Sequence, residues 1–310
     1  MDVSVVVPVY NCAPCLRRLH ERLTSTLDPL RLRYELIFVD DGSADEGWAV
    51  LEELAADDTQ TVLVKLSRNF GQHPAITAGL ERAQGTWTVV MDCDLQHPPE
   101  EIPRLLETAR SGYDVVLTRR AAGGHSRFRR SASSAYFRLM NAVLKTRVGS
   151  DFSNFSVISA PVRQAFLRIR DQDRQYLMIV HWLGFRRTTV EFEPAERFAG
   201  TSSYSLLGLV RFALAGLFFQ TTTLLHWIVY FGFAVSAAGG LLALFFVFNY
   251  FGGSPYPGWT SLGVLLLLLC GFIIAVIGVT GLYVGRIFNQ VKDRPLYVVE
   301  REVRGGGRPC

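Results

Sequence analysis

In the stretch MDCDLQHPPE, two acids flank one residue directly after an apolar run: Asp92 and Asp94. In extended backbone alternate side chains point the same way, so the two carboxylates converge. Hard oxygen ligands of this kind suit Mg2+ or Mn2+, with water and ligand phosphates completing the shell. Gln96 offers one more oxygen from the next turn. Cys93 should face the other way, into packing; a thiolate suits zinc better than magnesium, and no second Cys or His has matching spacing. His97 reads either as a further ligand or, more plainly, as an exposed loop residue. The blander use of the acids is to cap the helix that follows Pro98 and Pro99. A second acidic pair, Asp40 and Asp41, stands in FVDDGS. A carboxylate there can accept hydrogen bonds from a nucleobase N–H or ribose hydroxyls. N-capping is the plainer role, and it fits Ser43 or Asp45 better.

These residues need elements to carry them. The first half alternates apolar strands with helical spacing. Strands are expected at Val3–Tyr10, Tyr34–Asp40, Thr61–Leu66, Thr86–Asp92 and Tyr113–Thr118. Helices are expected at Ala13–Leu27, Asp45–Ala56, His73–Ala83 and Pro99–Ser111. Continuous apolar strands are what helices on both sheet faces require. The alternation predicts a mostly parallel, doubly wound α/β sheet. Ligands bind such sheets beyond the carboxyl ends of the strands. That singles out Tyr10 and Asn11, Asp40 and Asp41, Arg68 and Asn69, and Asp92 and Asp94. From Gly123 to Ala199 the pattern is mixed, with a helix near Ala132–Leu144.

Apolar residues make up 49% of the 310-residue chain and charged residues 19%. The excess is local, since no Asp, Glu, Lys or Arg occurs between Arg211 and Arg286. Helical spacing over Ser205–Phe219 suggests a helix on a membrane surface. Leu224–Phe251 and Leu262–Val284 are each long enough to span a bilayer. Arg211 before them, and Arg286, Lys292 and Arg294 after them, place both ends on the cytoplasmic side. Domains are therefore expected at 1–204 (catalytic, cytoplasmic), 205–222 (surface helix), 223–287 (two spans) and 288–310 (cytoplasmic tail). The N-terminus enters a strand at once, so no signal peptide is expected. A net charge of +4 is too mild to argue for nucleic acid. The five cysteines form no disulfide framework, and the lone C-x-x-C of Cys12 and Cys15 is a weak redox or metal signal. Arg119, Arg120, Arg127, Arg129 and Arg130 form a cluster that is either a solvated face or a site for anions or an anionic membrane surface.

Together VVPVYN, VDDGS, SRNFGQHPAITAGL, DCDLQHPPEEIPRL, ERFAGTSSYS and GLYVGRIFNQVKDRPLYVV resemble the family 2 glycosyltransferases of the GT-A fold. More narrowly the chain resembles polyprenyl-phosphate glycosyltransferases, the group of dolichol-phosphate mannose synthase and the GtrB- and ArnC-type enzymes. The resemblance covers nearly the whole chain. It implies a GT-A, Rossmann-like sheet domain followed by an amphipathic surface helix and two transmembrane helices. It assigns Pro8, Tyr10, Asn11, Asp40 or Asp41, Arg68, Asn69, Gly71, Asp92 and Arg197 to the nucleotide sugar. It assigns Asp92, Asp94 and Gln96 to Mg2+ or Mn2+ and the diphosphate, with Asp94 and Asp151 as catalytic. It assigns Arg119, Arg130 and Ser134 to the acceptor phosphate. Arg130 and Ser134 are four apart, so one helical turn can present both. Ser203 stands where the family usually has Lys. Either a neighbouring arginine replaces that cation or the donor is bound differently.

The expected reaction is metal-dependent, inverting transfer of a sugar from a nucleotide diphosphate to a polyprenyl phosphate at the cytoplasmic membrane face. The implied partners are the two substrates and the bilayer, with a homotetramer and a separate flippase as further expectations. A processive polysaccharide synthase would carry Q-x-x-R-W, and YLMIV follows Gln175 instead. A non-catalytic sugar-nucleotide-binding partner would tolerate loss of Asp92, Asp94 and Asp151, and all three are present.

Overall fold

The structure is a computed structural model and describes residues 1–120, 152–172, 174–193, 230–234, 237–239, 241, 244–245, 248, 258–306 and 308–309. The elements in chain order are β1 (Val3–Val9), α1 (Ala13–Leu27), β2 (Tyr34–Asp40), α2 (Gly47–Asp57), β3 (Thr61–Leu66), α3 (Gln72–Arg82) and β4 (Trp87–Val90). There follow α4 (Ile102–Arg110), β5 (Val115–Arg120), β6 (Phe152–Ser159), α5 (Ala160–Arg168), α6 (Tyr176–Trp182), β7 (Arg187–Phe192), α7 (Trp259–Val291), β8 (Val299–Arg304) and β9 (Arg308–Pro309). The chain divides into two compact units, Met1–Arg138 with Thr146–Ser203 and Pro295–Cys310, and Leu139–Lys145 with Tyr204–Arg294.

The first unit holds one sheet in the order β7-β5-β6-β4-β1-β2-β3-β8-β9. Its centre, β4-β1-β2-β3, is parallel throughout. Among the described strands only β6 and β8 run against the rest, so the sheet is mostly parallel. Every residue of β1 and β2 is buried. Their side chains alternate between the two faces, as the pleat requires. Val3, Val5, Val7 and Val9 pack with Leu16, Leu19 and Leu23 of α1 and Leu105 of α4. Val6, Ile37 and Val39 pack on the other face with Ile76 and Leu80 of α3 and Phe166 of α5. Burial of Leu16, Leu19, Leu23 and Leu27 reproduces the helical spacing that predicts α1.

Three features depart from expectation. The strand expected over Thr86–Asp92 stops at Val90. β6 inserts antiparallel between β4 and β5, which are not neighbours. Residues 299–304, expected in a tail, form β8 and pair with β3 from Val62–Arg304 to Leu66–Val299.

In the second unit, Leu269–Val291 within α7 is long and apolar enough to cross a membrane, judged by length and composition. Of the other expected span, the described residues include a shorter apolar helical stretch, Tyr230–Gly239. The helices expected at Ala132–Leu144 and Ser205–Phe219 lie outside the described residues.

Candidate active site at the carboxyl edge of the sheet

β1, β2, β3 and β4 end on one edge of the sheet, and the loops after them are tied to each other by hydrogen bonds. After β1, Asn11 adopts φ +49° and its backbone N–H donates to Ser43 Oγ at 3.1 Å. Its side-chain Oδ1 accepts from the Ala44 N–H at 2.9 Å. Asp45 joins the same two loops by accepting from Ala13 N–H (2.9 Å) and Gly47 N–H (3.0 Å), the first residues of α1 and α2. Capping therefore falls to Asp45, which frees the preceding acids for other work. Tyr10 is half exposed on the rim, and Pro8 is buried within β1 beyond the last β1–β4 pair, Val6–Val90.

Asp40 and Asp41 end β2 in different states. Both oxygens of Asp41 bind the next loop: Oδ1 accepts from Phe70 N–H at 2.7 Å and Oδ2 from Gly71 N–H at 2.8 Å. Gly42, at φ +67°, permits this close approach, since a Cβ there would lie 2.5 Å from the Arg68 carbonyl carbon. Asp40 Oδ1 accepts from Ser43 N–H at 3.2 Å. Its Oδ2 is buried with no hydrogen-bond partner among the described residues. Burial pushes both carboxyls above the ordinary range, against the lowering effect of the hydrogen bonds they accept. On the β3 loop, Arg68 lies over the Phe70 ring at 4.3 Å and Asn69 is exposed. Gly71, at φ +102°, starts α3.

Asp92 and Asp94 sit on a bend past β4, not on extended chain. The reason is local. The Asp92 N–H donates to His97 Nδ1 at 2.9 Å instead of to a strand neighbour, and Leu95 turns the chain at φ +62°. Asp92 Oδ1 accepts from Gln72 Nε2 at 2.6 Å, and Asp94 Oδ1 accepts from Gln96 N–H at 3.1 Å. His97 is fully buried, which corrects its reading as an exposed loop residue. Its Nδ1 lone pair is used within the loop, so that nitrogen is no metal ligand. Cys93 packs at the margin of the core, as expected. Cys12 and Cys15 are buried nearby. A hydrogen bond to Cys93 together with burial raises the Cys12 thiol, and burial raises that of Cys15. Thiols held protonated make poor nucleophiles, which argues against redox chemistry at this C-x-x-C. His73, behind the loop, is pushed down to about 4 by burial.

β5 brings Arg119 to the same edge, with Nη1 4.0 Å from Glu191 Oε1 of β7. Arg130, Ser134, Asp151, Arg197 and Ser203 lie outside the described residues. Two roles here escape sequence reasoning, those of Gln72 and His97, because each shows only in the bond it makes to Asp92. Asp45 anchors the starts of two helices, the role the sequence offers to Ser43 or Asp45.

Among the described residues no three His, Cys, Asp or Glu side chains group as a metal site. Asp92, Asp94 and Gln96 form a hard, oxygen-only set on one bend, held in place by Gln72 and by a turn. That set fits Mg2+ or Mn2+ as an incomplete shell to be shared with a ligand's oxygens, and it does not fit a soft metal.

The family profile described as "Glycosyl transferase family 2" matches residues 4–170. The Bacillus subtilis protein named "Uncharacterized glycosyltransferase YkcC" is 34% identical over 303 residues, covering 97% of this chain and 94% of its own. The Proteus mirabilis undecaprenyl-phosphate 4-deoxy-4-formamido-L-arabinose transferase is 37% identical over 309 residues, again covering 97% and 94%. Among solved structures, mannosyl-3-phosphoglycerate synthase from Rubrobacter xylanophilus aligns with a TM-score of 0.49 at 16% identity, over 69% of this chain and 71% of that one.

Proposed function

The chain belongs to glycosyl transferase family 2, and on that premise we propose that it transfers a sugar from a nucleotide diphosphate to a polyprenyl phosphate at the cytoplasmic face of a membrane. The observation that carries the reading is the row of carboxylates beyond β2 and β4, with one buried oxygen of Asp40 still seeking a donor. A buried acceptor without a partner is costly, so a ligand N–H or O–H at Asp40 Oδ2 is favoured. The acceptor class is supported by relatives named as undecaprenyl-phosphate transferases over nearly the full chain. An apolar helix long enough to cross a membrane is consistent with a lipid-borne acceptor.

In this reading Asp40 accepts a hydrogen bond from the donor's base or ribose, and Tyr10, Asn11, Arg68 and Asn69 line the same rim. Asp92, Asp94 and Gln96 hold the divalent cation, which when bound supplies positive charge to the leaving diphosphate. Arg119, with Arg130 and Ser134, holds the acceptor phosphate. A phosphomonoester has a second pKa of about 6, so its attacking oxygen is already ionised near neutral pH. Asp151 therefore orients the acceptor or steadies charge at the anomeric carbon, and proton abstraction is secondary. Attack from the face opposite the leaving group gives inversion.

The test uses full-length detergent-solubilised protein with undecaprenyl phosphate, Mn2+ and a panel of labelled nucleotide sugars, including a 4-deoxy-4-formamido-L-arabinose donor. A chelator-sensitive glycolipid from at least one donor is expected. Absence of product from every donor sinks the reading.

A further inference from the structure

We propose that His97 is a positioning residue that fixes the direction of the Asp92 carboxylate by bracing the metal-binding bend against the start of β6. The proposal rests on the reading of Asp92 and Asp94 as cation ligands. The bend from Met91 to Pro98 has no regular secondary structure, so its shape depends on bonds made by side chains. His97 supplies them from the inside. Its Nδ1 accepts from the Asp92 N–H, so the ring hydrogen resides on Nε2, and Nε2 donates to Ser153 Oγ at 2.5 Å. The ring is fully buried, stacked on Phe155 at 5.2 Å and 12°, and met edge-on by Phe192 at 5.9 Å and 73°. Ser153 lies two residues after Asp151 in the chain and near the start of β6.

The link has a direction. The amide that His97 holds belongs to the residue presenting the carboxylate, so turning that peptide swings the Cα–Cβ bond of Asp92. Gln72 holds the same residue from the other side, through Asp92 Oδ1 at 2.6 Å. Asp92 is thus gripped at its backbone from β6 and at its side chain from α3. A ring locked between two aromatics cannot follow a moving bend, which makes it a brace and not a loose contact. Groups that orient a metal-binding carboxylate change metal affinity by roughly 10- to 100-fold when removed.

The experiment titrates full-length protein in detergent with Mn2+ alone and reads free Mn2+ by electron paramagnetic resonance, alongside the unfolding midpoint of each variant. His97→Ala is expected to weaken Mn2+ binding by roughly 10- to 100-fold. His97→Asn, whose amide oxygen can accept from the Asp92 N–H in place of Nδ1 but which loses the ring and its bond to Ser153, should recover affinity only part of the way, to about the level of Ser153→Ala. Ser153→Ala, which breaks the brace without emptying the ring's site, should weaken binding less than His97→Ala. A role confined to stability would lower the midpoint of His97→Ala and leave its Mn2+ affinity at the wild-type value, and that result overturns the proposal. If His97→Ala does not fold, His97→Asn and Ser153→Ala decide. Wild-type affinity in either variant then overturns the proposal, and a loss in both upholds it. Asp92→Asn is the control for the underlying reading. Wild-type protein that binds no Mn2+, or an Asp92→Asn variant that binds it unchanged, overturns the metal site and the brace together.

Discussion

Asp40 and Asp41 are adjacent, alike in type and both buried, yet they do different work. Asp41 spends both oxygens on the Phe70 and Gly71 amides, so it shapes the β3 loop. Asp40 keeps one oxygen without a partner among the described residues. From the sequence VDDGS either acid can serve the nucleotide, and only the neighbouring loop separates them. Asp41→Ala should orphan two backbone donors and lower stability by about 2 kcal/mol or more. Asp40→Asn should leave the fold intact while removing most of the thermal stabilisation conferred by UDP or GDP, because a ligand that no longer prefers the folded site cannot stabilise it. Differential scanning fluorimetry with and without nucleotide checks both. An Asp40→Asn protein that responds to nucleotide as strongly as wild type removes Asp40 from the site.

At the scale of elements, Asp58 shows how the scaffold beneath the site is held. It follows α2 directly, and its Oδ1 accepts from Gln60 N–H at 2.8 Å. Its Oδ2 accepts from Thr61 Oγ1 at 2.7 Å, at the start of β3, and meets His20 Nε2 of α1 at 2.9 Å. Burial pushes this carboxyl up, but the hydrogen bonds from His20, Gln60 and Thr61 outweigh it and hold it below the ordinary range. A carboxyl whose folded pKa is depressed stabilises above its unfolded value, about 3.9, and that contribution is lost as pH falls through the folded value. The unfolding midpoint of the wild type should therefore fall more steeply below about pH 4 than that of Asp58→Asn. Parallel slopes for the two would remove Asp58 from the acid response. The elements most legible in sequence are those with one strong periodicity, such as α1 and β2, whose bounds match expectation. β6 was hidden because its place between β4 and β5 depends on pairing across distant sequence, not on local spacing. The early stop of β4 is local by contrast, since His97 of the same bend captures the Asp92 amide.

For the molecule as a whole, a strand near the chain's end closes on one of its earliest. β8 covers the outer edge of β3, with Arg82–Glu302 (2.8 Å), Lys65–Glu300 (3.2 Å) and Arg301–Glu52 (2.8 Å) as charge contacts. Ending the chain after Arg294 should bare that edge, costing about 2 kcal/mol or more in lost ladder bonds and favouring edge-to-edge association. Unfolding midpoints and size-exclusion profiles of the full and shortened proteins measure it, and matching values for both would show that β8 adds nothing. The same topology marks the limit of sequence reasoning. By itself the sequence determined the alternating α/β pattern, the apolar C-terminal region and the acids that belong at the sheet's carboxyl edge. All of these follow from residue type and spacing within a few turns of chain. Only the tertiary structure decided that Asp41 holds a loop, that His97 is a buried brace, and that residues 299–304 complete the sheet. Those outcomes rest on single hydrogen bonds and on pairings as distant in sequence as Val62 with Arg304, where no local propensity reaches.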